Sequence, residues 1–190
     1  MVIAIDGPAG AGKSTVARLV ADRLGYTYLD TGAMYRCVAL RGVDGVEALD
    51  IRFEGDRVVL DGEDVSEAIR TPEAGQAASK VATDPRVRAA LTAQQQLLVA
   101  EGRWVAEGRD VGTVIAPDAP LKVWLTADPV VRAERRGIAV EDLLERDERD
   151  AQREHAPMVR AEDAVDVDTT GKTIEEVVEE IATLAEGLGR

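Results

Sequence analysis

Residues 7–15 read Gly-Pro-Ala-Gly-Ala-Gly-Lys-Ser-Thr, between a short apolar run, Val2–Ile5, and a stretch with helical periodicity. Gly7, Gly12, Lys13 and Ser14 match the pattern G-x-x-x-x-G-K-[S/T] in the strand–loop–helix context that gives it meaning. The glycines let successive backbone N–H groups turn toward one anion. The helix that follows adds the positive end of its dipole. Lys13 reaches the outer phosphates of a nucleoside triphosphate, and the Ser14 hydroxyl is a ligand for Mg²⁺. All nine residues, Gly7, Pro8, Ala9, Gly10, Ala11, Gly12, Lys13, Ser14 and Thr15, are expected to line the phosphate site.

Such a loop needs a buried strand before it and a helix after it, and the rest of the chain continues that alternation. A helix opens near Lys13, carries Val16, Leu19, Val20 and Leu24 at helical spacing, and ends at Gly25. Tyr26–Asp30 reads as a second strand, after which Thr31 is expected to cap a helix bearing Met34, Tyr35, Cys37 and Val38. Further strands are predicted at Trp104–Ala106, Leu121–Leu125 and Ala164–Val167. Further helices are predicted at Pro85–Val99, in an Arg-rich segment broken at Gly137, at about Glu141–Glu154, and at Ile174–Leu188. The pattern predicts an α/β fold: a five-stranded parallel sheet with helices on both faces. Residues 42–84 interrupt it with glycine-punctuated pieces, Ile51–Glu54 and Arg57–Leu60 among them, which read as a hairpin in an inserted lobe of a single domain. Ligands of such sheets sit at the carboxyl ends of the strands. The glycine loop, Asp30-Thr31, Gly108–Asp110 and the Arg-rich helix all fall there.

Charge and composition narrow the function. A formal net charge of −13 repels nucleic-acid backbone and anionic membrane, so neither is an expected partner. Aromatics are 3% of the chain, too few for a base-stacking platform. The single cysteine, Cys37, excludes an intramolecular disulfide and fits a reducing compartment; its apolar surroundings suggest a small core residue. The leading apolar run meets Asp6 after four residues, and no run approaches the ~18 residues of a membrane span, so a cytoplasmic protein is expected. Without an exposed apolar stripe, a monomer is expected.

The glycine loop alone leaves kinase, GTPase and motor open. A GTPase needs a base-reading Asn/Thr-Lys-x-Asp element, and the candidate stretch, Leu125–Pro129, reads Leu-Thr-Ala-Asp-Pro. Motor ATPases are larger and act on polymers, which the charge opposes. A small-molecule kinase remains, and it must neutralise a transferring phosphoryl group. Arg132, Arg135 and Arg136 share one helix face, as do Arg146, Arg149 and Arg153. Asp147, Asp150 and Glu154 alternate with the second set, and a solvated, ion-paired surface helix has the same pattern. Arg36 lies one turn into a helix beside the loop, and Arg109 follows a strand end. His155, the single histidine, has no demanded role, because a phosphate-monoester acceptor is already an anionic nucleophile near neutral pH.

Several longer segments carry a resemblance. They are Ile5–Thr15 (IDGPAGAGKST), Leu29–Arg36 (LDTGAMYR), Asp61–Arg70 (DGEDVSEAIR), Ser79–Arg88 (SKVATDPRVR), Glu107–Thr113 (EGRDVGT) with Pro117–Pro120, and Glu145–Pro157 (ERDERDAQREHAP). Together they resemble the bacterial cytidylate kinases, P-loop nucleoside monophosphate kinases, over nearly the whole chain. The resemblance implies ATP-dependent phosphorylation of CMP and dCMP, with Mg²⁺ accompanying ATP. It divides residues 1–190 into a core (1–41, 85–131 and 155–190), an NMP-binding insert (about 42–84) and a short lid (about 132–154). It implies that residues 7–15 bind ATP phosphates and that Thr31 and Arg36 approach the CMP phosphate. Ser79, Arg88 and Asp110 would read cytosine, and Asp150 and Arg153 would hold the ribose. Lys13, Arg109, Arg146 and Arg132 would act at the transfer point, with Arg132 near ATP.

Cytosine offers an exocyclic amine that a carboxylate accepts, whereas uracil presents an oxygen that Asp110 would repel. The chain departs from the family in a shorter stretch from Arg132 to Arg146, a short insert between Arg36 and Asp61, and Glu107 where many members carry Asp. The alternatives are a P-loop kinase for another small acceptor, such as shikimate or a sugar acid, and a nucleotide-gated binding module. The latter would need no acceptor arginines.

Overall fold

The central strand β1 (Val2–Asp6) is buried at all five positions. Ile3 and Ile5 face one side of the sheet, and Val2 and Ala4 the other. A strand of a parallel sheet covered on both faces has no polar side, so it reads as a continuous apolar run. The computed structural model describes residues 1–188; the last two residues of the expected core lie outside them.

The helix α1 (Lys13–Leu24) follows the glycine loop, and Gly25 ends it in the left-handed conformation. Next come β2 (Thr27–Asp30) and α2 (Thr31–Arg41). Here the cap expected at Thr31 is corrected: Asp30 is the cap, its carboxylate accepting from the Ala33 N–H at 2.9 Å, and Thr31 is the first helical residue. Asp30 has the extended backbone that a capping residue needs, and its charge also meets the positive end of the helix.

The insert contains β3 (Ile51–Glu54) and β4 (Arg57–Leu60) as predicted, plus a two-residue third strand, β5 (Glu63–Asp64). It also holds a helix absent from the sequence reading, α3 (Pro72–Val81). Thr71 caps α3 and Pro72 opens it, a helix-start signal obscured by the surrounding glycines and alanines. Val58, Leu60, Val65 and Ile69 pack on Ala33 and Cys37 of α2. Burial pushes the Cys37 thiol up to about 11, so Cys37 is an inert core residue.

The chain returns through α4 (Pro85–Val99), β6 (Trp104–Gly108), β7 (Leu121–Thr126), α5 (Pro129–Arg136), α6 (Val140–Ala151), β8 (Val165–Asp168) and α7 (Ile174–Gly187). A single π-turn, Val111–Ile115, lies between β6 and β7. The sheet order is β2-β6-β1-β7-β8, parallel throughout. α1 and α7 cover one face through Val16, Val20, Val177 and Ile181. α4 and the π-turn cover the other through Val99, Val111 and Ile115. The core is thus Val, Ile, Leu and Ala, as the scarcity of aromatics requires.

Register sets the site. Asp6 lies opposite Gly108, and Asp30 opposite Glu107. The glycine loop, Arg109-Asp110 and the start of α2 therefore leave the sheet side by side. The chain runs from β1 to one side and later to the other, which makes this end a switch point where ligands bind. No described helix is long and apolar enough to cross a membrane.

Candidate active site

The path of the glycine loop depends on positions without a side chain. A Cβ on Gly7 would lie 2.0 Å from the Leu125 carbonyl oxygen. Gly12 sits at φ 96° at the head of α1, where no side chain caps the helix. The first N–H groups of α1 are thus left for a ligand. Lys13 is buried, its Nζ donating to the Pro8 carbonyl at 2.9 Å. Burial, and then the Arg109 charge, draw its pKa down to about 7. The Ser14 hydroxyl donates to Glu107 Oε1 at 2.7 Å. Burial and the charge of Asp30 push Glu107 up to about 7.

The loop shares a cavity of about 740 Å³ with Arg36, Arg88, Arg109, Arg136, Arg146 and Arg153. That volume is within the ~300–1,000 Å³ usual for ligand pockets. The arginines differ in how they are held. Arg36 bonds Asp30 at 2.5 Å, and its buried Nε has no partner among the described residues. Arg88 forms a buried ion pair with Asp110 over the Tyr35 ring. Burial holds the Asp110 carboxyl above the usual range, against the opposing pull of Arg88 and Arg153. Asp150 accepts from the Ser79 hydroxyl at 2.8 Å and pairs with Arg109 at 3.0 Å and with Arg153. Burial alone would raise Asp150, yet Arg109 and Arg153 hold it below the usual range. Arg109 also donates to the Gly7 carbonyl at 2.5 Å, tying the strand-β6 loop to the glycine loop.

Arg136 and Arg146 have no ion pair among the described residues. Asp147 and Asp150, whose charges reach Arg146, are taken by Arg132, Arg109 and Arg153. Burial, and then the charges of Arg109 and Arg136, bring Arg146 down to about 9, and its Nε has no partner among the described residues. Burial and the same kind of crowding, by Arg109 and Arg36, lower Arg136. Cations packed this closely repel one another unless an anion joins them.

The structure brings together on one cavity Lys13, Ser14, Thr31, Arg36, Ser79, Arg88, Arg109, Asp110, Arg146, Asp150 and Arg153, all singled out from the sequence. Thr31 spends its hydroxyl hydrogen on the Glu107 carbonyl, at 2.7 Å. Arg132 does not line the cavity. It lies behind the glycine loop, donating to the Ala127 and Ala9 carbonyls, each at 3.0 Å, and pairing with Asp147. Asp147 in turn accepts from the Ala9 N–H at 3.0 Å. Arg132 stands in the first turn of α5, so its side chain leans back toward the loop. Arg135 and Arg136, one turn on, line the cavity instead.

Sequence reasoning also passed over Asp6, whose carboxylate accepts from the Val111 and Gly112 N–H groups at 2.9 and 2.7 Å. It thereby fixes the turn that follows Asp110. Burial outweighs those bonds and raises Asp6 to about 6. The available signal was a charged residue closing an otherwise apolar strand.

The cytidylate kinase family profile matches residues 3–187. A cytidylate kinase from Fervidobacterium nodosum is 48% identical over 204 residues, covering 94% of this chain and 93% of its own. One from Carboxydothermus hydrogenoformans is 46% identical over 220 residues, covering 100% of this chain and 98% of its own. Both matches are longer than 190 residues, so each relative holds residues that this chain lacks. Among solved structures, a shikimate kinase from Bacteroides thetaiotaomicron superposes with a TM-score of 0.57 at 13% identity, covering 98% of each chain, a likeness of fold alone. The resemblance carried by LDTGAMYR, DGEDVSEAIR and EGRDVGT is therefore upheld: the chain belongs to the cytidylate kinase family.

Proposed function

We propose that this chain transfers the γ-phosphoryl group of ATP to the phosphate of CMP or dCMP, giving ADP and CDP or dCDP. The observation that carries the reading is the set of crowded cations, Arg109, Arg136 and Arg146, lining one cavity with the glycine loop. Two polyanions meeting there would relieve the repulsion, and their phosphates would be held in line. Residues 7–15 hold the ATP phosphates, with Lys13 on the outer ones. Arg36 and Arg109 hold the acceptor phosphate, and Thr31 positions the head of α2 beside it. Arg146 and Arg136 meet the charge that spreads over the transferring group. Arg132 acts from behind, as a brace for the glycine loop. The acceptor phosphate attacks as an anion, so no general base is required.

The Arg88–Asp110 pair and Ser79 read the cytosine edge, and Asp150 with Arg153 holds the ribose. Asp110 accepts from the exocyclic amine, while the unpartnered Nε of Arg88 is a donor for a ring acceptor. Residues 42–84 serve as the acceptor lobe and 132–154 as the lid. Ser14 and Glu107 supply the hard oxygen donors that suit Mg²⁺, the remaining positions being left to phosphates and water. Bound there, Mg²⁺ would neutralise charge on the triphosphate.

The test is ADP release from ATP and Mg²⁺ with a panel of CMP, dCMP, UMP and AMP. CMP and dCMP are expected to turn over fastest; CMP no better than AMP would sink the proposal. Asp110→Asn is expected to lower the CMP-over-UMP preference in kcat/KM by tenfold or more, from ~1–3 kcal/mol per base-edge pair. Because Arg88 loses its buried carboxylate, the variant should also lose on the order of 3 kcal/mol of stability. Selectivity is therefore measured well below its lowered Tm, and unchanged selectivity would remove Asp110 from base reading.

A further inference from the structure

Gly75 stands inside α3, where its backbone has ordinary helical geometry and none of the positive φ that calls for glycine. A mid-helix glycine is less stable than alanine, so the conformation gives no reason for it. The contact does. A Cβ on Gly75 would lie 3.2 Å from Arg146 Nη1 and 3.5 Å from Arg136 Nη2, the first tighter than normal van der Waals contact. α3 lies against α6 in matched steps. Gly75 and Ser79 are one turn apart on α3, and Arg146 and Asp150 are one turn apart on α6. The Ser79–Asp150 hydrogen bond, 2.8 Å and buried, is one rung of this contact. Gly75 under Arg146 is the other.

That bond decides which partner moves. α3 cannot retreat from an added methyl group without stretching the Ser79–Asp150 rung. The guanidinium of Arg146 must shift instead. Nothing else pins it, since its Nε has no partner and it forms no ion pair among the described residues. We infer that Gly75 is a positioning residue for the reaction: its missing side chain seats the Arg146 guanidinium at the height where the transferring phosphoryl group is met. The inference rests on the phosphoryl-transfer reading above.

The test is Gly75→Ala in the full chain, alone and combined with Arg146→Met. Alanine is the better helix former, so the single variant is expected to fold with Tm unchanged or raised. Its kcat is expected to fall roughly tenfold with little change in KM for CMP, since misplacing a catalytic group by 1 Å can cost ~10²-fold and the shift here is smaller. In the Arg146→Met background the same substitution is expected to change kcat by less than twofold, because the group it displaces is gone. An unchanged kcat in the single variant would overturn the inference. So would a lowered Tm together with a loss of kcat that persists in the Arg146→Met background, which is ordinary packing damage. Absence of CMP turnover in the unaltered chain would sink the phosphoryl-transfer reading itself and the inference with it. Turnover in that chain with an unaffected Gly75→Ala sinks the placement of Gly75 alone.

Discussion

Lys13→Met is expected to lower kcat with CMP by about 10³-fold while raising, rather than lowering, the stability of the nucleotide-free protein. The activity loss follows from removing a preorganised donor aimed at charge on the outer phosphates, an effect of ~10²–10³-fold in comparable sites. The stability gain follows from the environment. Lys13 is buried without a carboxylate bonded to it, and burial with the Arg109 charge brings its pKa from 10.5 to about 7. Between about pH 7 and 10.5 the unfolded chain therefore binds a proton that the folded chain does not, and stability from this group rises with pH. Below pH 7 both states are protonated and the burial penalty is present in full. Scanning calorimetry of both proteins from pH 7 to 9.5 should show a rise in Tm for the unaltered chain that is absent from Lys13→Met. A variant that loses Tm at pH 7 would mean that Lys13 is held by stabilising contacts, contrary to the argument.

Arg146→Met is expected to cost about 10³-fold or more in kcat, the lower end of the 10³–10⁵-fold attached to an arginine that meets transition-state charge. KM for CMP should change little if Arg146 acts mainly in the transition state. Methionine keeps most of the apolar stem, so packing is largely preserved. What disappears is a cation that burial, Arg109 and Arg136 hold down to about 9, so stability at neutral pH should not fall. A variant with normal kcat and raised KM would move Arg146 from the transfer point to ground-state binding. The two substitutions share a logic: both groups are poorly accommodated until phosphates arrive, a common compromise between stability and activity.

The contrast with Arg132 shows where spacing stops being informative. Arg132 and Arg136 are four residues apart on one helical face, and nothing in the sequence separates them. One turns back to the Ala9 carbonyl, and the other lines the cavity. The difference depends on where α5 begins relative to the glycine loop, which is a matter of packing. Gly75 was equally mute, because its importance lies in α6, some seventy residues further along the chain. Asp6 was visible only as an oddity, a charge at the end of an apolar strand. Its partners, the Val111 and Gly112 amides, belong to a π-turn that no periodicity announces.

Features that rest on local chemistry were legible in the chain of residues alone. The glycine loop, its strand and its helix follow from backbone conformations that Gly7 and Gly12 permit and from an apolar run with no polar face. The five-strand alternation and most helix limits follow from periodicity and capping. The segments LDTGAMYR and EGRDVGT carried the family, since each packs several exacting positions into a few residues. Which cations are paired, and which stay unpaired among the described residues, was set by packing between distant segments. Pairing depends on distances of a few ångströms between residues far apart in the chain, in a buried medium where each neighbouring charge counts heavily. Arg88 finds Asp110 and Arg153 finds Asp150, while Arg136 and Arg146 form no ion pair among the described residues and are crowded by other arginines.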